Sequence, residues 1–203
     1  MAASGSELKL APLERQFYER DPITVGKNLL GALLVRDVGS EILLGRIVET
    51  EAYLAAGDTA NHAHRGRTQR NRSMFGPAGH AYVYAIHNCC CLNVVTERAG
   101  VPSAVLIRAV EPVGGIEHMR ARRGGVPDLQ IARGPGRLCQ AFDIDRRLDG
   151  WDLTDGCRLW ISAGTRPAES RIVHARRVGV TSAGNLELRF YVAGSPWVSR
   201  AAR

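Results

Sequence analysis

Two short helical patterns follow a tail of small and polar residues at the start of the chain. Residues 1–11 show no hydrophobic period, and we expect them to be disordered. The run LERQFYER after Pro12 predicts a helix that stops near Asp21, because a proline disfavours helical backbone in the residue before it. Asp21 suits an N-cap, and Pro22 suits the first position of a second helix that runs to Leu30.

Extended patterns dominate the remainder of the chain. They are the runs ALLVR, EILLGRIVETEAYL, HAYVYAI, CLNVVT, SAVLIRAV, RLWIS, RIVHARRVGV and LELRFYVAG. HAYVYAI and CLNVVT predict a β-hairpin around His87 and Asn88. Two further short helices are predicted, in IEHMRARR and after Pro135. Strands in clusters with helices at the ends, without a linker or an internal repeat, predict an α+β fold. We expect a single mixed domain over residues 12–203, with surrounding helices on a curved antiparallel β-sheet.

Composition changes this picture mainly through charge. The 203 residues include 27 Lys and Arg against 20 Asp and Glu, and the net charge of +7 favours an acidic partner, nucleic acid first. Only Lys9 and Lys27 are lysines, so amine chemistry has few candidates. The five cysteines lack C-x-x-C spacing, which fits a reduced cytoplasmic protein. The sequence shows neither a signal peptide nor an apolar stretch of transmembrane length, so we expect no membrane partner.

A pair of glutamates and a tyrosine mark the long predicted strand. Glu49, Glu51 and Tyr53 alternate, so they should share a face, which continues back through the apolar Ile47 and Leu43. A carboxylate beside an aromatic ring on an apolar face is a candidate for chemistry. The plainer interpretation is a strand end that reaches solvent, where glutamate is harmless.

Polar residues also interrupt two other apolar runs. Arg108 lies within AVLIRAVEP, and a buried arginine requires a carboxylate or an anionic ligand. Glu51 is its natural partner, although a purely structural ion pair would look the same. Tyr82 and Tyr84 share one face of the predicted hairpin, and Asn93 lies on the returning strand. Aromatic core packing with one satisfied asparagine is the structural alternative here.

The segment NHAHRGRTQRNR, residues 61–72, is basic and contains no acid. Its arginines are Arg65, Arg67, Arg70 and Arg72. Such a loop can contact phosphates, and it can equally be a solvated charged loop. His62 and His64 have a spacing that metals use, but without a third clustered ligand we expect no metal.

Taken in order, several segments resemble the alkyladenine (3-methyladenine) DNA glycosylase family. They are RIVETEAYL, DTANHAHRGRTQRN, MFGPAGHAYVYAI, CLNVVT, VLIRAVEP, GPGRLCQAF, RVGV and LRFYVAGSPWVS. The match runs from about Leu13 to Ser199. It implies a single mixed domain with a protruding, DNA-inserting β-hairpin. It also implies excision of alkylated or deaminated purines from double-stranded DNA by hydrolysis of the N-glycosidic bond, without metal or cofactor.

The resemblance also assigns roles to residues. Glu51 matches the catalytic base, and Arg108 and the backbone carbonyl of Val178 match the other contacts to the attacking water. Tyr53, His62 and Tyr84 match the residues that hold the flipped base. Asn93 matches the residue that crowds the 2-amino group of a normal guanine. The expected DNA contacts are His87 and Asn88 at the hairpin tip, with Arg65, Arg67, Arg70 and Arg72 in the basic loop.

The hairpin departs from the family pattern. The family usually carries a tyrosine at the wedge and one residue more, whereas AIHNCCCL puts His87, or Asn88 if the register shifts, at the tip. We hypothesise weaker base flipping and a preference for unstable pairs or single strands. Because Lys9 and Lys27 lie upstream of the pocket segments, we predict a monofunctional enzyme that leaves an abasic site.

The expected substrates are 3-methyladenine, 7-methylguanine, hypoxanthine and ethenoadenine in damaged duplex DNA. We expect a cytoplasmic monomer, associated with the nucleoid if the source is bacterial. The alternative is a non-catalytic protein on the same scaffold that binds damaged DNA. A remoter alternative makes Glu51 and Arg108 a structural ion pair only.

Overall fold

An antiparallel sheet of eight strands, counted over the described residues, forms the centre of the molecule. The structure is a computed structural model that describes residues 10–86, 88–183 and 185–199. The strands are β1 (Leu33–Asp37), β2 (Ile42–Tyr53), β3 (Ala81–Ile86), β4 (Cys89–Thr96), β5 (Ser103–Gly114), β6 (Leu159–Ser162), β7 (Ile172–Ala175) and β8 (Arg189–Val192). Their order is β3-β4-β5-β2-β1-β6, and β8 pairs with both β2 and β7.

Short helices surround this sheet. They are α1 (Arg15–Tyr18), α2 (Pro22–Asn28), α3 (Ile116–Arg122) and α4 (Pro135–Ala141), with 3₁₀ turns at Arg72–Phe75, Asp128–Gln130, Arg146–Leu148 and Glu169–Arg171. The predicted α+β class and the curved antiparallel sheet are confirmed. That the β3–β4 hairpin inserts into DNA stays a prediction. The disordered tail of residues 1–11 also stays a prediction, and residues 1–9 lie outside the described residues. Within the described residues, no helix has the length and apolar character needed to cross a membrane.

The start of α2 follows the sequence prediction closely. The Asp21 carboxylate accepts the Thr24 amide at 2.9 Å, and Pro22 begins the helix. The helix ends at Asn28, short of the predicted Leu30. Gly31 follows with φ +87°, and a Cβ there would lie 2.1 Å from a backbone oxygen, so the tight turn into β1 needs glycine.

The core fills one face of the sheet. The buried side chains include Leu43 and Ile47 on β2 and Ile107 on β5. The α2 helix covers them, and the Thr50 hydroxyl donates to the Gly26 carbonyl at 2.9 Å. Thr50 therefore faces the helix and the core.

The pairing of the two central strands slips by one residue at the point where the polar residues begin. Ile47 pairs with Val110, but the next pair is Glu49 with Ala109. Val48 is therefore an extra residue on β2 that has no partner on β5. One extra residue reverses the alternation of side chains. Glu49 and Glu51 consequently lie on the opposite face from the apolar Ile47, and the predicted continuation of their face through Ile47 and Leu43 is wrong.

The run RIVHARRVGV is only partly a strand. β7 ends at Ala175, because the following residues leave the sheet as Arg177 turns inward to the Asp58 carboxylate. The loop that results, residues 176–182, borders the site described next.

Candidate active site

A cavity of about 620 Å³ opens on the face of the sheet opposite the core. Its lining includes Tyr53, His62, Tyr84, Arg108 and Val178. These residues come from β2, β3, β5, the basic loop and the 176–182 loop. A small recess of about 20 Å³ adjoins it, lined by Tyr53, His62, Met74, Tyr84, Asn93 and Ala104. The structure thus brings together most of the residues predicted for the site.

Glu51 lies fully buried directly beneath this cavity. Its Oε1 accepts the Val178 amide at 2.7 Å and faces Arg108 Nη1 at 3.2 Å, and its Oε2 accepts the Tyr53 hydroxyl at 3.0 Å. All three donors belong to residues that line the cavity. An ionised carboxylate has about four acceptor positions, so these donors leave room for one more. The contact from Val178 is through its amide N–H, whereas the sequence prediction concerned its carbonyl.

Tyr53 is held as a neutral hydrogen-bond donor. Burial raises its pKa, and the Glu51 carboxylate raises it further. The alternation of side chains on β2 places the two residues on the same face and makes this contact possible.

Arg108 lies at a further slip in the β2–β5 pairing. Its neighbours Ala109 and Ile107 pair with successive residues of β2, and Arg108 lies between these two pairs. Its Nε donates to Glu49 Oε1 at 3.1 Å, while Nη1 faces Glu51. Burial lowers the pKa of Arg108, but the two carboxylates outweigh that effect and raise it. The sequence prediction paired Arg108 with Glu51 and overlooked its second partner, Glu49.

The recess has aromatic walls. The rings of His62 and Tyr84 lie 4.6 Å apart in an edge-to-face arrangement. His62 Nδ1 lies 2.9 Å from the Tyr82 hydroxyl, and Asn93 Nδ2 donates to the Tyr82 carbonyl at 3.1 Å. Desolvation, with a smaller contribution from Arg70, lowers the pKa of His62, so the neutral imidazole is favoured.

A buried ion pair lies beside Tyr53 at the cavity wall, and the sequence analysis did not predict it. Arg177 and Asp58 are joined by two hydrogen bonds of 2.6 and 2.7 Å, and the Arg177 guanidinium lies 4.6 Å from the centre of the Tyr53 ring. Asp58 also accepts the Leu54 and Ala60 amides. The pair thereby links the loop before His62 to the 176–182 loop.

The basic loop lies at the rim of the cavity. Its four arginines, Arg65, Arg67, Arg70 and Arg72, are exposed. Only Arg65 among them lines the cavity, whereas Arg70 donates to the Ala85 carbonyl on β3 at 3.1 Å. The buried Asn71, not predicted from sequence, holds the loop by donating to the His62 and Gly66 carbonyls, each at 3.0 Å.

The hairpin tip is described only in part. Asn88 is exposed, and His87 lies outside the described residues. Ile86 and Cys89 close the β3–β4 ladder on either side of this turn. Over the part of the chain that the structure covers, no group of three or more His, Cys, Asp or Glu side chains could hold a metal.

Fold, cavity and comparisons together place the chain in the class of DNA glycosylases. Residues 16–196 match the methylpurine-DNA glycosylase family, and the chain belongs to this family. The resemblance predicted from the ordered segments is thereby confirmed.

Close relatives carry consistent names. A protein of Methanoculleus marisnigri, provisionally named 3-methyladenine DNA glycosylase, is 52% identical over 193 residues, covering 93% of this chain and 98% of the relative. A protein of the same name from Carboxydothermus hydrogenoformans is 47% identical over 189 residues, covering 93% and 98%. Another, from Koribacter versatilis, is 46% identical over 202 residues, covering 96% of each.

Proposed function

We propose that the protein is a monofunctional DNA glycosylase that removes alkylated or deaminated purines by Glu51-activated water. The observation that carries the proposal is the buried Glu51 carboxylate, held by Arg108, the Val178 amide and Tyr53 beneath a cavity with aromatic walls. The proposed substrates are 3-methyladenine, 7-methylguanine, hypoxanthine and ethenoadenine in duplex DNA. The protein is proposed to act as a monomer, because one chain supplies the whole proposed site.

Base binding follows from the aromatic side chains that line both the cavity and the recess, Tyr53, His62 and Tyr84. A base within a duplex is inaccessible, so it must rotate out, at a cost of a few kcal/mol that is smallest for damaged pairs. Stacking on Tyr53 and Tyr84 offsets this cost by about 1–3 kcal/mol per base, and a cationic alkylpurine adds cation–π attraction. Asn93 at the wall of the recess is proposed to crowd the 2-amino group of a normal guanine.

The chemical step needs a base for water. Glu51 takes a proton as the water oxygen bonds to C1′ of the sugar, and the electrons of the breaking C1′–N bond leave with the purine. The carboxylate also stabilises the oxocarbenium-like transition state. Arg108 and the Val178 carbonyl are the other proposed contacts to this water. A cationic base needs little acid catalysis, whereas a neutral base needs a proton, and water is the proposed source because the neutral imidazole of His62 is favoured.

The absence of a lyase step is a separate part of the proposal. A strand-cleaving glycosylase usually forms a Schiff base through an amine. Lys27 lies at the end of α2, 3.8 Å from Glu169, and no lysine lines the cavity within the described residues. Borohydride should therefore trap no covalent adduct between the protein and DNA.

Single-turnover base release tests the central proposal. Wild type and Glu51→Gln are compared on one duplex that carries hypoxanthine and on one that is methylated throughout. We expect release by wild type, loss of release with retained lesion binding for Glu51→Gln, and no change for Glu117→Gln, whose side chain is 82% exposed. No release from wild type, with tight lesion binding, would favour the non-catalytic damage-binding alternative instead.

A further inference from the structure

A second carboxylate lies directly behind the candidate general base. Like Glu51, Glu49 is fully buried and is absent from the cavity lining. Its Oε1 accepts Arg108 Nε at 3.1 Å, Arg189 Nε at 2.7 Å and the Ser199 hydroxyl at 2.9 Å. Its Oε2 accepts the Ser199 amide at 2.6 Å. The donors to Glu51 all belong to residues that line the cavity. Arg189 and Ser199, which supply three of the four donors to Glu49, do not line it, so Glu49 is the carboxylate farther from the cavity.

Glu49 fixes the direction of the Arg108 guanidinium. The group is planar, so holding its Nε edge also determines where its two terminal nitrogens point. With Nε on Glu49, Nη1 faces Glu51 at 3.2 Å and Nη2 donates to the Ser199 hydroxyl at 3.3 Å. Each of the three guanidinium nitrogens of Arg108 thereby faces a different partner.

The register slip in the sheet makes this arrangement possible. Because the pairing passes over Val48 and Arg108, Glu49 and Glu51 emerge on the face that carries Arg108. Regular pairing would continue the alternation of β2 and direct Glu49 to the core face with Ile47. Because of the slip, β2 directs Glu49 and Glu51 toward Arg108 and away from the apolar core.

We propose that Glu49, together with Ser199, is a positioning residue for the reaction. It holds Arg108 against Glu51 and balances the charge of Arg108 and Arg189. This inference rests on the proposed function, since it assigns to Glu49 an effect on a step that Glu51 performs. It adds Ser199, which lies 150 positions from Glu49 in the sequence, to the residues that build the site.

The charge balance gives the proposal a specific consequence. In Glu49→Gln, Arg108 keeps the Glu51 carboxylate as its only charged partner among the described residues, and its Nε edge is no longer held by a charged group. Tyr53 on β2 and Arg177 in the 176–182 loop, which also interact with Glu51, are unchanged in the variant. The variant should therefore lose rate in the chemical step while it keeps lesion binding.

The experiment measures single-turnover base release from hypoxanthine duplex, with lesion binding and thermal unfolding measured in parallel. For Glu49→Gln we expect a rate up to about a hundredfold lower, since a small misplacement of a positioned group can cost that much. Lesion binding should be retained, whereas a merely structural role would lower rate and binding together. Ser199→Ala, which removes one hydroxyl, should lower the rate less and also retain lesion binding.

Glu111→Gln is the matched control. Glu111 lies on β5 and pairs with Arg46 on β2 at 3.4 Å, so it is also a Glu–Arg pair between these strands, but outside the site. Its loss should change neither the rate nor lesion binding. A folded Glu49→Gln protein with the wild-type rate would overturn the inference. If Glu49→Gln does not fold, an unchanged rate for Ser199→Ala would overturn it. Absence of release from wild type would overturn the proposed function and this role with it.

Discussion

The side chain of Tyr53 has two roles in the proposed site, one for its ring and one for its hydroxyl. Its ring lines the recess, while its OH donates to Glu51 Oε2 at 3.0 Å. Stacking belongs to the ring and carboxylate support belongs to the hydroxyl, so substitution can separate them.

Tyr53→Phe should retain lesion binding and lower the rate of base release, because the Glu51 carboxylate loses one of the donors that hold it. Tyr53→Ala should weaken lesion binding by about 1–3 kcal/mol through lost stacking. Both are measured by equilibrium binding to a hypoxanthine duplex and by the single-turnover rate of base release. Equal binding losses in the two variants would contradict this division of tasks.

At the scale of elements, the two loops beside Tyr53 depend on the Asp58–Arg177 pair. The two side chains are 0% and 1% exposed, and the Arg177 guanidinium adds a 3.0 Å hydrogen bond to the Ala52 carbonyl. Burial raises the pKa of Asp58, but the hydrogen bonds and charge of Arg177 outweigh it and lower that pKa.

Arg177→Met should lower the free energy of unfolding by about 3–5 kcal/mol, because it leaves a buried carboxylate without its partner. The double variant Asp58→Asn/Arg177→Met should recover part of that loss. Urea denaturation of both proteins measures the difference. A control is Arg166→Met, which removes an exposed arginine 2.8 Å from Glu169 and should change stability little.

The β3–β4 hairpin is the element in which we expect the sequence to depart from the family pattern. Ile86, 46% exposed, ends β3 at the mouth of the cavity on the same side as Tyr84. Apolar side chains of this kind act as wedges in other DNA-bending proteins. The adjacent His87 is smaller and more polar than tyrosine.

We expect His87→Tyr to raise, and Ile86→Ala to lower, the ratio of duplex to single-strand base release. Rates on matched duplex and single-stranded hypoxanthine oligonucleotides give the ratio within each protein, so differences in active fraction cancel. Identical ratios in wild type and both variants would end the wedge hypothesis for this tip.

At the scale of the whole molecule, the net charge of +7 favours association with the negatively charged phosphates of duplex DNA. The four arginines of the basic loop are exposed, and Arg65 among them lines the cavity. Contacts of this kind release counterions and weaken with salt, without reading sequence.

Arg65→Gln should therefore weaken binding to lesion and normal duplexes by similar factors. It should also reduce the slope of log affinity against log salt by about one. Titrations at several salt concentrations measure this slope. Arg147→Gln, at an exposed arginine paired with Asp145, serves as the control and should leave the slope unchanged. A selective loss for the lesion alone would instead point to a role in base recognition.

Most of the elements could be predicted from local signals. The Asp21 cap, the long β2 strand, the β3–β4 pairing and the short α4 helix after Pro135 all follow from patterns within a few residues. Glu51 and Arg108 were found because each places a charge in an apolar run. Arg177 gave no such signal, since it lies among other arginines in RIVHARRVGV.

The sequence by itself determined the elements, the basic character and the family, because caps, alternation, composition and ordered motifs are local or cumulative properties. The tertiary structure decided the register slip between β2 and β5, and with it which face carries Glu49 and Glu51. It also joined Glu49 to Arg108, Asp58 to Arg177 and Glu49 to Ser199, across 59, 119 and 150 positions. Such contacts depend on strand register, and a shift of one residue sends every side chain to the other face of the sheet.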